Sequence, residues 1–422
     1  MNVVDTIMVA DLGASAIGAI AIGGSAFYSL AVFGMGLLLG LDTLVAQAYG
    51  AGNRDDCHRS LAQAVYIALL LTPPLMLIFA VIPFAFRPAG LDESVSRLAT
   101  QFIRHLSYST LPLLLYGAFR RYLQATGHAR PVTFALISAN VVNWLFNWLL
   151  IKGHWGMPAL GVVGSALSTV LARVYMAASL ACFIWWFERN LNPGPSNIFR
   201  RFERARVVRL LSIGFPAATQ ILLEISAFGT AAFLAGRLAP VALAAHQIAI
   251  SVAALSYMIP LGISSAAAVM VGHAIGAREW MTARRRGFIA IAVGVVTALS
   301  AAVLFLAWPR AILGIYTRDS AILRIAVKLL AVAAAFQLFD SVQTVATGAL
   351  RGLGNTHVAM LINLAGYWLL GLPVGWVLCF RYGYGVYGIW WGLTLALAVI
   401  ATSLFFVWSR ASANARVALH PS

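Results

Sequence analysis

The sequence predicts an all-α polytopic membrane protein: about twelve transmembrane helices in two parallel six-helix bundles, with the first helix truncated at the N-terminus. Two observations lead there. The 422 residues are 61% hydrophobic and only 10% charged, with a mean hydropathy of +0.86, which places them far outside the water-soluble class. The two halves of the chain also repeat one another at an offset of about 225 residues.

A bilayer core about 30 Å thick is crossed by roughly 20 residues of helix. Runs that long without Asp, Glu, Lys or Arg are Ala14–Leu41, Ser60–Phe86, Pro131–Ile151, Leu238–Gly272, Gly287–Pro309, Gly352–Phe380 and Tyr382–Ser409. Three further runs hold one charge each, Arg173, Glu224 and Asp340. The first span ends at an outer turn at Leu12-Gly13, and the fourth has the shortest charge-free core, His105–Phe119.

The formal charge of +16 raises the question of nucleic acid, and the positions of the basic residues answer it. They fall in every second loop: Arg54 and Arg59; Arg120, Arg121 and Arg130; Arg189 to Arg209; Arg278 to Arg286; Arg351; Arg410 and Arg416. The positive-inside rule assigns those loops, and the C-terminus, to the cytoplasm, and no nucleic-acid partner is expected. Cys57, Cys182 and Cys379 lack metal or redox spacing and are read as packing residues.

Three anchors define the repeat. Ala48-Tyr49-Gly50-Ala51 returns as Ala274-Ile275-Gly276-Ala277, an offset of 226; Leu123-Gln124-Ala125-Thr126-Gly127 returns as Leu350-Arg351-Gly352-Leu353-Gly354, an offset of 227. Leu160-Gly161-Val162-Val163-Gly164 returns as Tyr384-Gly385-Val386-Tyr387-Gly388, an offset of 224. Six helices per copy return the chain to one side, so the halves run parallel. The expected lobes are 1–190 and 206–422, joined by a cytoplasmic linker at 191–205 that contains Asn192-Pro193-Gly194-Pro195. Projecting the second copy back leaves the opening helix about twenty residues short.

An ionisable group at mid-membrane costs about 2.5–3.5 kcal/mol and persists where packing, a cavity or function compensates. Glu224, central in the seventh span, is a candidate proton carrier; Asp340 in the tenth belongs to the same half, and two such acids could share a proton or hold a cationic ligand. Asp5 sits about 10 Å below the outer surface by the helix rise. Asn140, Asn143 and Asn147 are spaced i, i+3, i+7 and project from one face of the fifth span. Asp5 with Asn143 and Asn147 offers the oxygen ligands that Na⁺ prefers, against the competing reading of interhelical hydrogen bonds. His246-Gln247 lacks a second ligand at metal spacing and is read as packing, and Asp42 as a solvated or capping acid. No G-x-x-x-x-G-K-[ST] loop is present, which favours an ion-driven process over an ATP-driven one.

Four stretches together resemble the MATE (multidrug and toxic compound extrusion) transporters: Asn2-Val3-Val4-Asp5-Thr6-Ile7-Met8-Val9, Thr43 through Gly52, Gly214-Phe215-Pro216 leading to Glu224, and Ala349 through Gly354 after Asp340. The resemblance covers essentially all of the chain and implies a twelve-helix, two-lobe antiporter. It would export organic, mostly cationic compounds by alternating access, driven by Na⁺ or H⁺ and needing no other cofactor. By this likeness Asp5, Asn143, Asn147 and Thr169 form the N-lobe cation site, and Glu224 and Asp340 are the C-lobe acids of the NorM-like branch. A monomer in the inner (cytoplasmic) membrane is expected. The rivals are a lipid-linked precursor flippase of the same superfamily, which needs a cationic cavity, and a membrane enzyme, for which loops of about ten residues leave little room.

Overall fold

The fifth span shows how apolar pattern and bilayer cooperate here. On α7 (Ala129–Lys152) the exposed residues Phe134, Ile137, Val141 and Trp144 are as apolar as the buried Val132, Ala135 and Ala139, while Asn143 and Asn147 lie inside. A helix whose outer stripe is apolar and whose inner stripe holds the amides suits lipid outside and a polar interior.

The computed structural model describes residues 2–86, 88, 90–191 and 201–414. Most of the linker expected at 191–205 lies outside the described residues, as does Arg416. Among the described residues the chain is helical with no β-strand, and ten helices are long and apolar enough to cross a membrane. The other two spans depart from a plain helix. The first, α1 (Asn2–Val9), is eight residues long and runs through a 3₁₀ turn at Ala10–Leu12 to Gly13. The fourth is α5 (Glu93–Leu106) and α6 (Thr110–Ala125), interrupted at Ser107–Ser109. Asp92 caps α5 by accepting from the Ser94 and Val95 amides. With these two, the twelve expected spans are accounted for.

The chain divides into two compact units. Unit 1 comprises Met1–Val45 and Arg54–Ser212, and unit 2 comprises Ala46–Asn53 and Ile213–Ser422. In unit 1, α2 (Ala14–Leu37) packs on α5, α4 (Arg54–Val81) on α6, and α8 (Val162–Leu191) on α5, α6 and α7, with α1 lying along α7. In unit 2, α13 (Ser320–Leu353) is the central post, packed on α10 (Pro240–Gly276), α11 (Trp280–Ala307) and α16 (Val386–Asn414). The short α12 (Pro309–Gly314) leads into α13. The remaining span of unit 2 alternates α14 (His357–Leu364), a π-helical stretch Ala365–Gly371, α15 (Leu372–Trp376) and a second π stretch Val377–Arg381.

The repeat anchors have physical roles. Gly127 and Gly354 adopt φ of +84° and +86° as the chain leaves α6 and α13, conformations that side chains other than glycine resist. The first anchor's two copies meet inside unit 2: α3 (Gly40–Gly50) ends against α10, where a methyl on Gly50 would overlap the His273 backbone and one on Gly276 the Gln47 carbonyl. Tyr49 and His273 place their rings 5.1 Å apart at the same crossing. At the third anchor, Gly164 and Gly388 press against the backbones at Leu150 and Leu378-Cys379.

Asp42 is not the solvated acid expected. It is buried and pairs with Arg121 Nη1 at 2.7 Å, because Arg121 near the C-terminal end of α6 turns toward the start of α3.

Candidate functional site

Polar side chains gather in the interior of each unit. In unit 1, α1, α7 and α8 converge on Asp5, which is 3% exposed. Asn143 and Asn147, four residues or just over one helical turn apart, share the inner face of α7, and their Nδ2 atoms donate to Asp5 Oδ1 at 3.1 and 2.7 Å. Thr169 Oγ1 on α8 donates to Asp5 Oδ2 at 2.9 Å, and Asn143 Nδ2 also reaches Thr169 Oγ1 at 3.4 Å. All four residues expected at this site are thus brought together. Asn140, one turn along, instead donates back to the Leu136 carbonyl of its own helix at 2.8 Å.

The amides present their N–H groups to the carboxylate, and the Oδ1 atoms of both Asn143 and Asn147 are buried without a hydrogen-bond partner. Three donors suit a charged carboxylate. Two idle carboxamide oxygens beside it are the ligand type that a hard cation takes, and rotating either amide would exchange nitrogen for oxygen toward Asp5.

Arg173 lies one helical turn beyond Thr169 on α8, within electrostatic reach of Asp5. Its Nη1 donates to Ser109 Oγ at 2.6 Å, and its guanidinium lies 4.7 Å over the Phe27 ring, which stacks on Phe79. In sequence Arg173 is a lone charge in an apolar run, and its i, i+4 spacing from Thr169 is the signal that ties it to Asp5.

In unit 2, Glu224 on α9 (Arg204–Gly236) and Asp340 on α13 lie within electrostatic reach of one another. Asp340 is 4% exposed, and its Oδ1 has no hydrogen-bond partner. Around the two acids stand polar groups that sequence reasoning missed. Gln343 comes within side-chain reach of Glu224, donates to Asn363 Oδ1 at 3.1 Å and accepts from Tyr367 Oη at 3.4 Å. Tyr257 of α10 lies within electrostatic reach of both acids. Gln343 sits three residues after Asp340 in an apolar run, a usable signal; Tyr257, Asn363 and Tyr367 reach the acids only through tertiary packing. Ser341 donates away, to the Gly294 carbonyl at 2.8 Å. His246 accepts from Trp390 Nε1 at 3.1 Å, in keeping with its reading as a packed residue.

A family model, MatE, matches residues 1–149 and 216–377. The chain belongs to the MatE family. This MatE protein is 35% identical over 418 residues to a probable multidrug resistance protein NorM of Geobacillus kaustophilus, spanning 97% of this chain and 91% of that one. It is also 35% identical over 424 residues to the multidrug resistance protein NorM of Burkholderia vietnamiensis, spanning 95% and 87%. Among solved structures, the eukaryotic MATE transporter AtDTX14 superposes with a TM-score of 0.85 at 21% identity, covering 99% of the MatE chain and 94% of its own. An outward-facing multidrug resistance MATE family transporter of the MOP superfamily gives 0.88 at 18% identity, covering 98% and 92%. At that identity the structural likeness shows the fold, and it bears out the all-α, twelve-helix architecture expected from the sequence.

Proposed function

We propose that this MatE protein is a secondary active multidrug transporter, exporting organic, mostly cationic compounds in exchange for Na⁺ or H⁺ by alternating access. The observation that carries the reading is carboxylates held inside each bundle: buried Asp5 among Asn143, Asn147 and Thr169, and buried Asp340 within electrostatic reach of the half-buried Glu224. Keeping acids there costs about 2.5–3.5 kcal/mol each on insertion scales, a cost that binding and releasing a cation would account for. The multidrug resistance names of relatives at 35% identity support export of drugs. We place it as a monomer in the inner membrane; its alternating basic loops support multi-pass insertion with a cytoplasmic C-terminus.

Asp5 accepts three hydrogen bonds and Asp340 keeps an unpartnered oxygen. A cation entering at either acid replaces these contacts, so the ion binds two conformations of the bundle unequally, and that inequality drives the exchange. Na⁺ at Asp5 would recruit the Asn143 and Asn147 oxygens, whereas a proton would need only the carboxylate.

The test is efflux of a fluorescent organic cation from proteoliposomes under separately imposed Na⁺ and H⁺ gradients. Transport driven by one or both gradients, and lost in E224Q and D340N variants that keep their melting temperature, supports the reading. Unchanged transport in both variants would end the role assigned to the unit 2 acids, and no gradient-driven flux of any organic cation would end the function.

A further inference from the structure

The span His357–Arg381 is the only one among the described residues that abandons α-helical hydrogen bonding for π turns, at Ala365–Gly371 and again at Val377–Arg381. A π turn carries an extra residue at poorer hydrogen-bond geometry, and such turns concentrate at functional sites. Its position here is fixed by packing. A methyl on Gly366 would overlap the Ile400 side chain, and one on Gly371 the Ala396 side chain, so the turn is wedged against α16.

What the first π turn presents inward is specific. Tyr367, fully buried, donates its hydroxyl to Gln343 Oε1 at 3.4 Å, and the same glutamine comes within side-chain reach of the Glu224 carboxyl. The next residue, Trp368, donates Nε1–H to the Leu223 carbonyl at 3.2 Å, immediately beside Glu224 in the chain. One turn therefore grips Glu224 twice, through its side-chain partner and through its helix backbone. Asn363, a turn earlier, accepts from Gln343 Nε2 at 3.1 Å and is itself anchored to the Ala359 carbonyl at 2.8 Å. With the Gln343 oxygen held by Tyr367, its N–H groups are left for Asn363 and Glu224.

We infer that Tyr367 and Trp368, presented together by the π turn Ala365–Gly371, are positioning residues for Glu224, and that Gln343 is the link through which Tyr367 acts. The inference rests on Glu224 being a coupling acid, as proposed above. When Glu224 takes up or loses its cation, the Gln343 amide reorients, and the π turn is the element placed to respond. The other titratable or charged groups around Glu224 are Asp340 on α13, Tyr257 on α10 and Tyr367 itself, with Arg351 of α13 in reach of Tyr257. Within the membrane, α16 presents no Asp, Glu, Lys, Arg or His between Val386 and Ser409.

The direction of the effect follows from donor placement. An N–H from Gln343 favours the charged carboxylate. Removing it in Q343L, or freeing the amide to flip in Y367F, lets the proton bind at lower proton concentration. The pH profile of proton-driven efflux then moves to higher pH by about one unit, tenfold in proton concentration, for Q343L, and less for Y367F and W368F. L369A, at the lipid-facing side of the same turn, leaves the profile unmoved.

The experiment uses the full chain in proteoliposomes, with ethidium efflux against pH for wild type, E224Q, Q343L, Y367F, W368F and L369A, alongside melting temperatures. Infrared difference spectra record the carboxyl band that E224Q removes, which reads Glu224 without transport and serves any variant of low activity. Displaced profiles and a displaced band in Q343L, Y367F and W368F, with L369A like wild type, support the inference. If E224Q abolishes coupling but the profiles and band of all three variants superimpose on wild type, the positioning role is overturned while Glu224 keeps its function. If E224Q transports like wild type, both fall.

Discussion

Arg121 meets Asp42 at 2.7 Å with both side chains largely withdrawn from solvent, so neither charge is easily rehydrated if the other is lost. Breaking such a pair from one side costs about 3–5 kcal/mol, because a buried charge is left uncompensated. R121M should therefore destabilise unit 1 strongly in detergent unfolding, and R121M/D42N should recover most of the loss; equal stability of the single and double variants would contradict the pairing. The burial of Asp42 is not legible in the sequence, because a position at the end of an apolar run suits solvent equally well and its burial depends on where Arg121 points. The Asp5 cluster was easier to read, since Asn143 and Asn147 at i, i+4 must share a helix face. Thr169 gave no such signal by itself and entered only through family resemblance. Tyr257 comes to the unit 2 acids from one span and Asn363 and Tyr367 from another, and no spacing along the chain ties either span to Glu224 or Asp340.

At the start of α9, Glu203 accepts from Arg59 Nε at 2.8 Å and from Arg206 Nε at 3.2 Å, and Arg206 also pairs with Asp56 at 2.5 Å. The Arg59 guanidinium, with help from Arg206, holds the Glu203 carboxyl below the usual carboxylate range. A depressed folded-state pKa contributes stability that is fully present above the ordinary value, about 4.3, and is lost as pH falls through the folded one. E203Q should thus melt below wild type at neutral pH, with the gap closing under acid conditions and in high salt; a constant gap would rule the pairing out. Elsewhere, α10 and α13 cross where Gly348 admits the Ser264 carbonyl, a contact that no side chain could share. G348V should cost about 1–3 kcal/mol or more, read as a lower melting temperature of the purified protein. At this scale the lengths and order of most spans were legible from charge-free runs, and the glycine anchors from the repeat. The π turns were not legible, because an extra residue within an apolar helix leaves hydropathy unchanged and is set by packing on α16.

Across the molecule, the repeat copies architecture without copying chemistry. The glycines recur at offsets of 226, 227 and 224, yet unit 1 holds one acid among carboxamides and a threonine, and unit 2 holds two acids among a glutamine and tyrosines. If both clusters serve the same transport cycle, each must change occupancy before the cycle closes, and removing either stops the whole. If they are independent routes, each removal leaves the other running. Double-substitution analysis separates these cases, because groups acting as one unit are grossly non-additive. For a single cycle, D5N, E224Q and D5N/E224Q should all show the same residual gradient-driven efflux, while substrate binding measured in detergent survives in each. Parallel routes would instead leave each single variant with a substantial fraction of wild-type flux, the D5N remainder driven by the ion that Glu224 uses and the E224Q remainder by the ion that Asp5 uses. Measuring the three variants under Na⁺ and H⁺ gradients in turn therefore reports both whether the clusters act in series and which ion each one handles.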